Sequence, residues 1–338
     1  MTGSDGRENL RGGFTGAPGG GAPGPGRSPG SHSVRVGLTD VRRLEDAVAE
    51  LRAQDYRYGG GSCAEAIEAR LPDAAELLNG TMRDAVLVRL CTVVADLYNL
   101  AGWTSFDEDR PAAALTAFAR ALELAVEAGN HDLQANIRYR TGRLHLHYGA
   151  VDAALAEFTQ GRDAALRARS KRAQAILSAN QAWAYAKKAD VAAALTYLRH
   201  ARAEFADAQE TEVSPWAAFF GDNDMAAMIG TVHGELAQVV DVRHGRDGIH
   251  ALTEAIAGYG ADMTRSRGLT VIWLATVHAL DGDLDVAATV GQEAIELAGA
   301  LRSPRTRQRL RTLSAAARRF SGDGHAQEIV DRIDELPH

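Results

Sequence analysis

The sequence predicts an all-α fold of stacked helix pairs, and three observations carry that expectation. Apolar residues recur at three- and four-residue spacing along most of the chain, and one small-apolar motif returns every 40 residues. Aromatic residues make up only 6% of the chain against 46% hydrophobic overall. Helices packed through many small contacts suit that balance better than sheets, which draw on aromatic and β-branched side chains.

In chain order, residues 1–33 come first and differ from the rest. The first 30 hold 11 of the 34 glycines and 4 of the 9 prolines. So few apolar residues cannot offset the entropy of ordering, which predicts a disordered tail. Residues 34–338 are expected to form the helical domain. Asp40 is placed to cap a first helix carrying Val41, Leu44, Val48 and Leu51 on one face. Gly59-Gly60-Gly61 breaks the chain, and with no Gly-Lys-Ser/Thr after it reads as a hinge and not a phosphate loop.

The repeat then takes over. Ala112-Ala113-Ala114-Leu115 returns as Asp152-Ala153-Ala154-Leu155 and Ala192-Ala193-Ala194-Leu195. A large apolar residue follows each (Phe118, Phe158, Leu198), then a small one (Ala121, Gly161, Ala201). Another small residue precedes each copy inside an earlier apolar segment: Gly102, Gly142, Ala182. Each unit is therefore two helices joined by a short turn, at Asp107–Pro111, Tyr148–Val151 and Lys188–Val191, with small residues where the helices cross closely. Pro111 suits a helix start, where its missing N–H has no partner to lose. Weaker copies follow around Gly248, Ala287 and Ala326, and one leads at Ala74. The step is about 40 throughout, except for 54 residues between Ala194 and Gly248.

This register, with Gly102, Ala114, Phe118 and Ala121 as its best copy, resembles the tetratricopeptide repeat family over roughly residues 60–335. The resemblance implies an α-solenoid of about six to seven helix pairs wound as a right-handed superhelix, each unit touching only its neighbours, with peptide or protein partners in the concave groove. The period exceeds the family's 34 residues, which implies longer helices. Leu97–Ala128, Ala135–Gly149, Asn180–Ala186 and Asp262-Met263-Thr264-Arg265-Ser266-Arg267 are similar to the repeat arrays of actinobacterial regulators bearing an Xre-type helix-turn-helix, for which this sequence has no counterpart. A role in bacterial transcriptional or developmental regulation is what that similarity implies.

Little in the sequence points to catalysis. His145 and His147 are two apart on a helix and point about 200° away from each other, so they do not share a metal. Asp281-Gly282-Asp283-Leu284-Asp285 begins like a calcium loop, but Gln292 stands where the bidentate carboxylate belongs, so a turn with capping aspartates is expected. Cys63 and Cys91 read as buried thiols. No enzyme activity, cofactor or metal is expected. No apolar run approaches a membrane span and no leader pattern opens the chain, so a cytoplasmic protein without a membrane partner is expected. The net charge of −7 gives no general attraction to nucleic acid. A homodimer is compatible with everything above.

The candidate site lies on the first helices of the pairs, which line the groove of a solenoid. Projecting the register inward selects Asn99 and Trp103, then Tyr139, Arg140, Arg143 and His147, then Asn180, Trp183 and Lys187. Amides on such rungs pair with a peptide backbone, and Arg143 or Lys187 holds a carboxylate. The insertion Thr211–Met225 supplies a second candidate, a partner-binding element of Trp216, Phe219 and Phe220 that otherwise serves as a core plug. The alternative function is a DNA-associated regulator using Arg302, Arg305, Arg307, Arg309, Arg311, Arg318 and Arg319, a segment that otherwise reads as a solvated terminal helix.

Overall fold

The 40-residue register reappears in three dimensions as a set of equivalent turns. The computed structural model describes residues 35–58, 60–208, 213–260, 263–301 and 303–336, all within the unit Val34–His338. The tail at 1–33, Gly59, Thr211, Asp262 and Arg302 lie outside the described residues. Two leading helices, α1 (Leu38–Tyr58) and α2 (Ala64–Leu77), precede six pairs. The pairs are α3 (Asp84–Asp107) with α4 (Pro111–Glu127), α5 (His131–His147) with α6 (Val151–Arg167), α7 (Lys171–Lys187) with α8 (Val191–Ala208), α9 (Asp222–Val239) with α10 (Gly245–Gly258), α11 (Thr264–Asp281) with α12 (Leu284–Ala300), and α13 (Pro304–Ala317) with α14 (Gly324–Asp334). Among the described residues there is no strand, only an isolated bridge between Arg35 and Thr81.

The turns closing the first three pairs each place one residue in the left-handed region: Asp109 (φ 60°), Gly149 (79°) and Ala189 (58°). The turns between pairs do the same at Gly129 (64°) and Arg169 (55°). Side-chain oxygens then cap the next helices, Asn130 accepting from Leu133 N–H and Ser170 from Ala173 N–H. Pro111 opens α4 as expected. Asp40 instead sits inside the first turn of α1, its carboxylate accepting from Gly37 N–H at 2.9 Å. At the calcium-like segment, Gly282 ends α11 in a left-handed conformation (φ 89°), and Asp283 occupies the cap position of α12 without a side-chain cap.

The packing explains the small residues. A Cβ on Gly102 would stand 2.5 Å from the Phe118 ring, and Gly142 meets the Phe158 ring in the same way. Glycine thus lets the second helix drive a phenyl ring against the backbone of the first. Both rings are fully buried. The 24-residue α3 is, by length and composition alone, apolar enough to cross a membrane, which corrects the expectation that no segment approaches that size. Two thirds of that apolar window is buried, against α1, α2 and α4.

The larger departure is that distant units meet. α11 packs on α1, and α13 packs on α3. Arg265 of α11 pairs with Asp107 at 2.6 Å and with Asp55 at 3.2 Å, and Arg305 of α13 pairs with the other oxygen of Asp107 at 2.8 Å. Gln308 of α13 donates to Asp109 at 3.0 Å and lies 2.6 Å from His147 Nε2. Asp107 itself is 1% exposed, so these ties are made away from water, where charge pairing is strong and an unpaired charge is costly. The late helices therefore close onto the early ones around an interior space, where contacts between neighbouring units alone were expected.

A cation and aromatic cavity as candidate site

That space is a cavity of about 150 Å³, partly open to solvent. Apart from Phe219, Phe220, Tyr259 and Met263, its wall comes from α1, α3, α5, α7, α9, α11 and α13, the leading helix and the first helix of every pair. The register supplies one rung directly, because Trp103, Arg143 and Trp183 are 40 residues apart and all face the cavity.

Trp103 is 5% exposed and carries three guanidiniums against its ring, from Arg140, Arg265 and Arg305, with their carbons 5.1, 5.4 and 4.8 Å from the centroid. Each such contact stabilises a desolvated cation through the ring quadrupole. Asp55 and Asp107 answer two of these charges. Burial pulls Arg265 down, but Asp107 and Asp55 more than offset it, so its affinity for the proton ends above the ordinary value. Burial lowers Arg305 to about 10, partly countered by Asp107. Burial raises the Asp55 carboxyl despite its partner. Arg140 donates to the carbonyl of Asn99 at 3.1 Å.

Trp183, 2% exposed, organises a second centre. Arg143 and Arg309 each stand 4.9 Å from its centroid, and Lys187 Nζ stands at 5.7 Å. Its indole N–H donates to Glu235 at 2.9 Å, and Lys187 takes the other oxygen of the same carboxylate at 3.2 Å. Asn180 accepts from Arg143 at 3.3 Å and donates to the carbonyl of Ile176 at 2.7 Å. Burial, then the nearby Arg143 and Arg305, lower Arg309 to about 9. Among the described residues no carboxylate lies within 4 Å of Arg140, Arg143 or Arg309.

The expected rungs are thus sorted by the structure. Trp103, Tyr139, Arg140, Arg143, Asn180 and Trp183 line the cavity. Asn99 does not: it is fully buried and donates to Asn136 at 2.9 Å. His147 lies behind the wall, edge-on to Phe106 at 5.3 Å and against Gln308, and burial lowers it to about 4. Lys187 serves Glu235 at the margin. His145 and His147 are both half-buried, and no group of three or more metal-ligating side chains exists among the described residues. Burial pushes the Cys63 thiol up to about 12, which makes it a poor nucleophile at neutral pH.

The described part of the insertion, from residue 213 on, packs back onto the helices. Phe219 stacks on Tyr139 at 5.8 Å, and Phe220 is buried edge-on against Phe205. Both close the cavity, whereas Trp216 sits outside it in a small cleft, its carbonyl accepting from Asn136 at 2.9 Å.

No family model matches this chain, nor does any curated protein. The site is therefore read from its geometry alone. The inward-facing cations that sequence reasoning missed are Arg265, Arg305 and Arg309. One signal existed: Arg265 and Arg305 are 40 residues apart, each the second residue of a first helix. Read as part of a solvated basic helix, Arg305 is instead 4% exposed and Arg309 faces the cavity, while Arg311 remains outside.

Proposed function

We propose that this chain is a non-enzymatic regulatory or adaptor module that captures an acidic segment of a peptide or protein partner in the cavity. The supporting observation is the excess of cations over carboxylates on an aromatic wall, with Arg140, Arg143 and Arg309 lacking an acidic partner. Concave, largely apolar sites with a few convergent polar groups are where proteins bind ligands, and arginine presents the fork that a carboxylate needs. On this reading the helix pairs are a tetratricopeptide-like solenoid with a right-handed superhelical course, and the similarity to actinobacterial regulator arrays suggests transcriptional or developmental control. The cytoplasm is the compartment that fits such a role.

The test is capture from a lysate of the source organism by the full chain and by its Arg143→Ala and Arg309→Ala variants, with circular dichroism as a control on folding. A partner held by the wild type and lost by both folded variants supports the reading. The same proteins held by all three baits would sink it. Direct DNA contact is less favoured, because Arg305 and Arg309 point inward. Its check is a gel shift at low salt, and none is expected.

A further inference from the structure

The two tryptophan centres differ in how their charge is answered. Around Trp103, Asp55 and Asp107 are already engaged with Arg265 and Arg305. Around Trp183, Arg143 has only the neutral Asn180 oxygen, Arg309 has no polar partner among the described residues, and Glu235 is taken by Lys187 and the indole N–H. Two guanidiniums held at 4.9 Å from one Trp183 centroid repel, and a negative group close to both turns that repulsion into attraction. Among the residues lining the cavity, two buried donors also lack an acceptor: Arg305 Nε and Trp103 Nε1. Buried donors are nearly always satisfied, so these point to acceptor atoms supplied by an occupant or by water.

Size sets the other half of the ligand. The enclosed space of about 150 Å³ takes one side chain or one chain end of a partner, the rest of which lies at the open mouth. Space on this scale accommodates a body of roughly benzene size. The same cavity also presents apolar surface: Trp273, T-shaped to Trp183 with centroids 6.5 Å apart, together with Met228 and Phe219.

We propose that the cavity takes a small amphiphilic acid, its carboxylate or phosphate seated between Arg143 and Arg309 and its flat, ring-sized apolar body lying against Trp183 and Trp273. This rests on the capture reading above and names what is captured: either a free aryl acid or the carboxyl-terminal residue of a partner chain, which present the same chemistry. A neutral amide, or an internal peptide segment without an acidic side chain, does not meet the requirement, because it brings no charge to the two guanidiniums.

Three of the four tryptophans line the cavity, so intrinsic fluorescence of the full chain reports occupancy. The chain is titrated with N-acetylphenylalanine, its primary amide, and phenyl phosphate. The expected result is a saturable change with at least one of the two acids, and at least about tenfold weaker binding of the amide. Arg143→Met and Arg309→Met should each weaken the acid by about tenfold or more, while Arg311→Met, on the exposed side of α13, leaves it unchanged. Methionine keeps most of the side-chain volume, and an unchanged melting temperature confirms that the variants fold. Amide binding within about twofold of the acid, no saturable response to any of the three, or variants that keep full affinity overturns the proposal. A short peptide ending in phenylalanine with a free carboxyl separates the sources: tighter binding than N-acetylphenylalanine assigns a chain terminus, and weaker binding assigns a free acid. Partner capture that depends on Arg143 with no acid binding overturns this ligand class and leaves the capture reading standing. Acid binding without any Arg143-dependent partner upholds the ligand class and overturns the protein-partner reading.

Discussion

The first and second helices of each pair are built from the same register yet live in different surroundings. α4 buries Ala114, Phe118, Ala121, Leu124 and Ala125, and α6 buries Ala154, Phe158, Gly161, Ala164 and Ala165, matching residues 40 positions apart. Each shows one apolar stripe and turns the rest outward. α7 by contrast buries every residue from Ala173 to Ala184, including Gln174, Ser178, Asn180 and Gln181. A helix covered on all sides cannot be amphipathic, so its polar residues answer to particular partners instead of to solvent. The second helices hold the pairs together, and the first helices carry the site.

The sharpest way to break this comparison is to remove the lock between the two ranks. Phe158→Ala deletes a fully buried ring seated on Gly142 and should cost about 3–5 kcal/mol, read from urea unfolding. An effect under about 1 kcal/mol would mean that the pair is not held by this contact.

The inner rank is held differently, by charge. Asp107→Asn keeps the shape but leaves Arg265 and Arg305 short of a buried carboxylate, and should cost about 3 kcal/mol. Loss of protection in α11 and α13 by hydrogen exchange, with α5 and α6 unaffected, would locate the damage at the closure. Uniform loss along the chain would instead show that closure and pairing form one cooperative unit.

This difference also explains what could be read from the sequence. Helix pairs, their turns and the glycine–phenylalanine crossings are local and periodic, so Gly102, Phe118 and Pro111 announce themselves by position. Six of the nine expected groove residues line the cavity, because one face of a regular helix can be projected from spacing alone. The closure could not be projected. Asp55 and Arg265 are 210 residues apart, and Gln308 and Asp109 are 199 apart; single polar pairs at such separations leave no period. Asn99 shows the converse failure. It shares its helix with Trp103 but is absorbed by Asn136, a partner that only the packing of α3 against α5 creates.

Acid offers a gentler probe of the closure. His147 is half-buried behind the cavity wall, and burial with Arg309 nearby lowers it to about 4 from its ordinary 6.5. The folded state therefore refuses a proton that the unfolded chain accepts. Stability is complete above about pH 6.5 and falls as pH drops toward 4, by about 1–2 kcal/mol once solvent screening is allowed for. Asp224 acts in the opposite sense, since burial raises its carboxyl to about 6 and the folded state holds that proton more firmly. The two slopes overlap, so the measurement is wild type minus His147→Gln between pH 4 and 7. A difference that does not change with pH would mean that His147 titrates normally.

The smallest expected effect sharpens the comparison most cleanly, because it touches only the turns. Asp109, Gly149 and Ala189 hold equivalent left-handed positions, and only one is glycine. A Cβ in that region costs roughly 1 kcal/mol, partly offset by the greater freedom glycine has in the unfolded chain. Ala189→Gly should therefore raise stability by about 0.5 kcal/mol, and Gly149→Ala should lower it by about the same amount. Both turns lie off the cavity wall, so neither change should alter binding of an aryl acid. If Gly149→Ala weakened binding while leaving stability unchanged, the two ranks would be coupled through the turn, and the division between a scaffold helix and a site helix in each pair would fail.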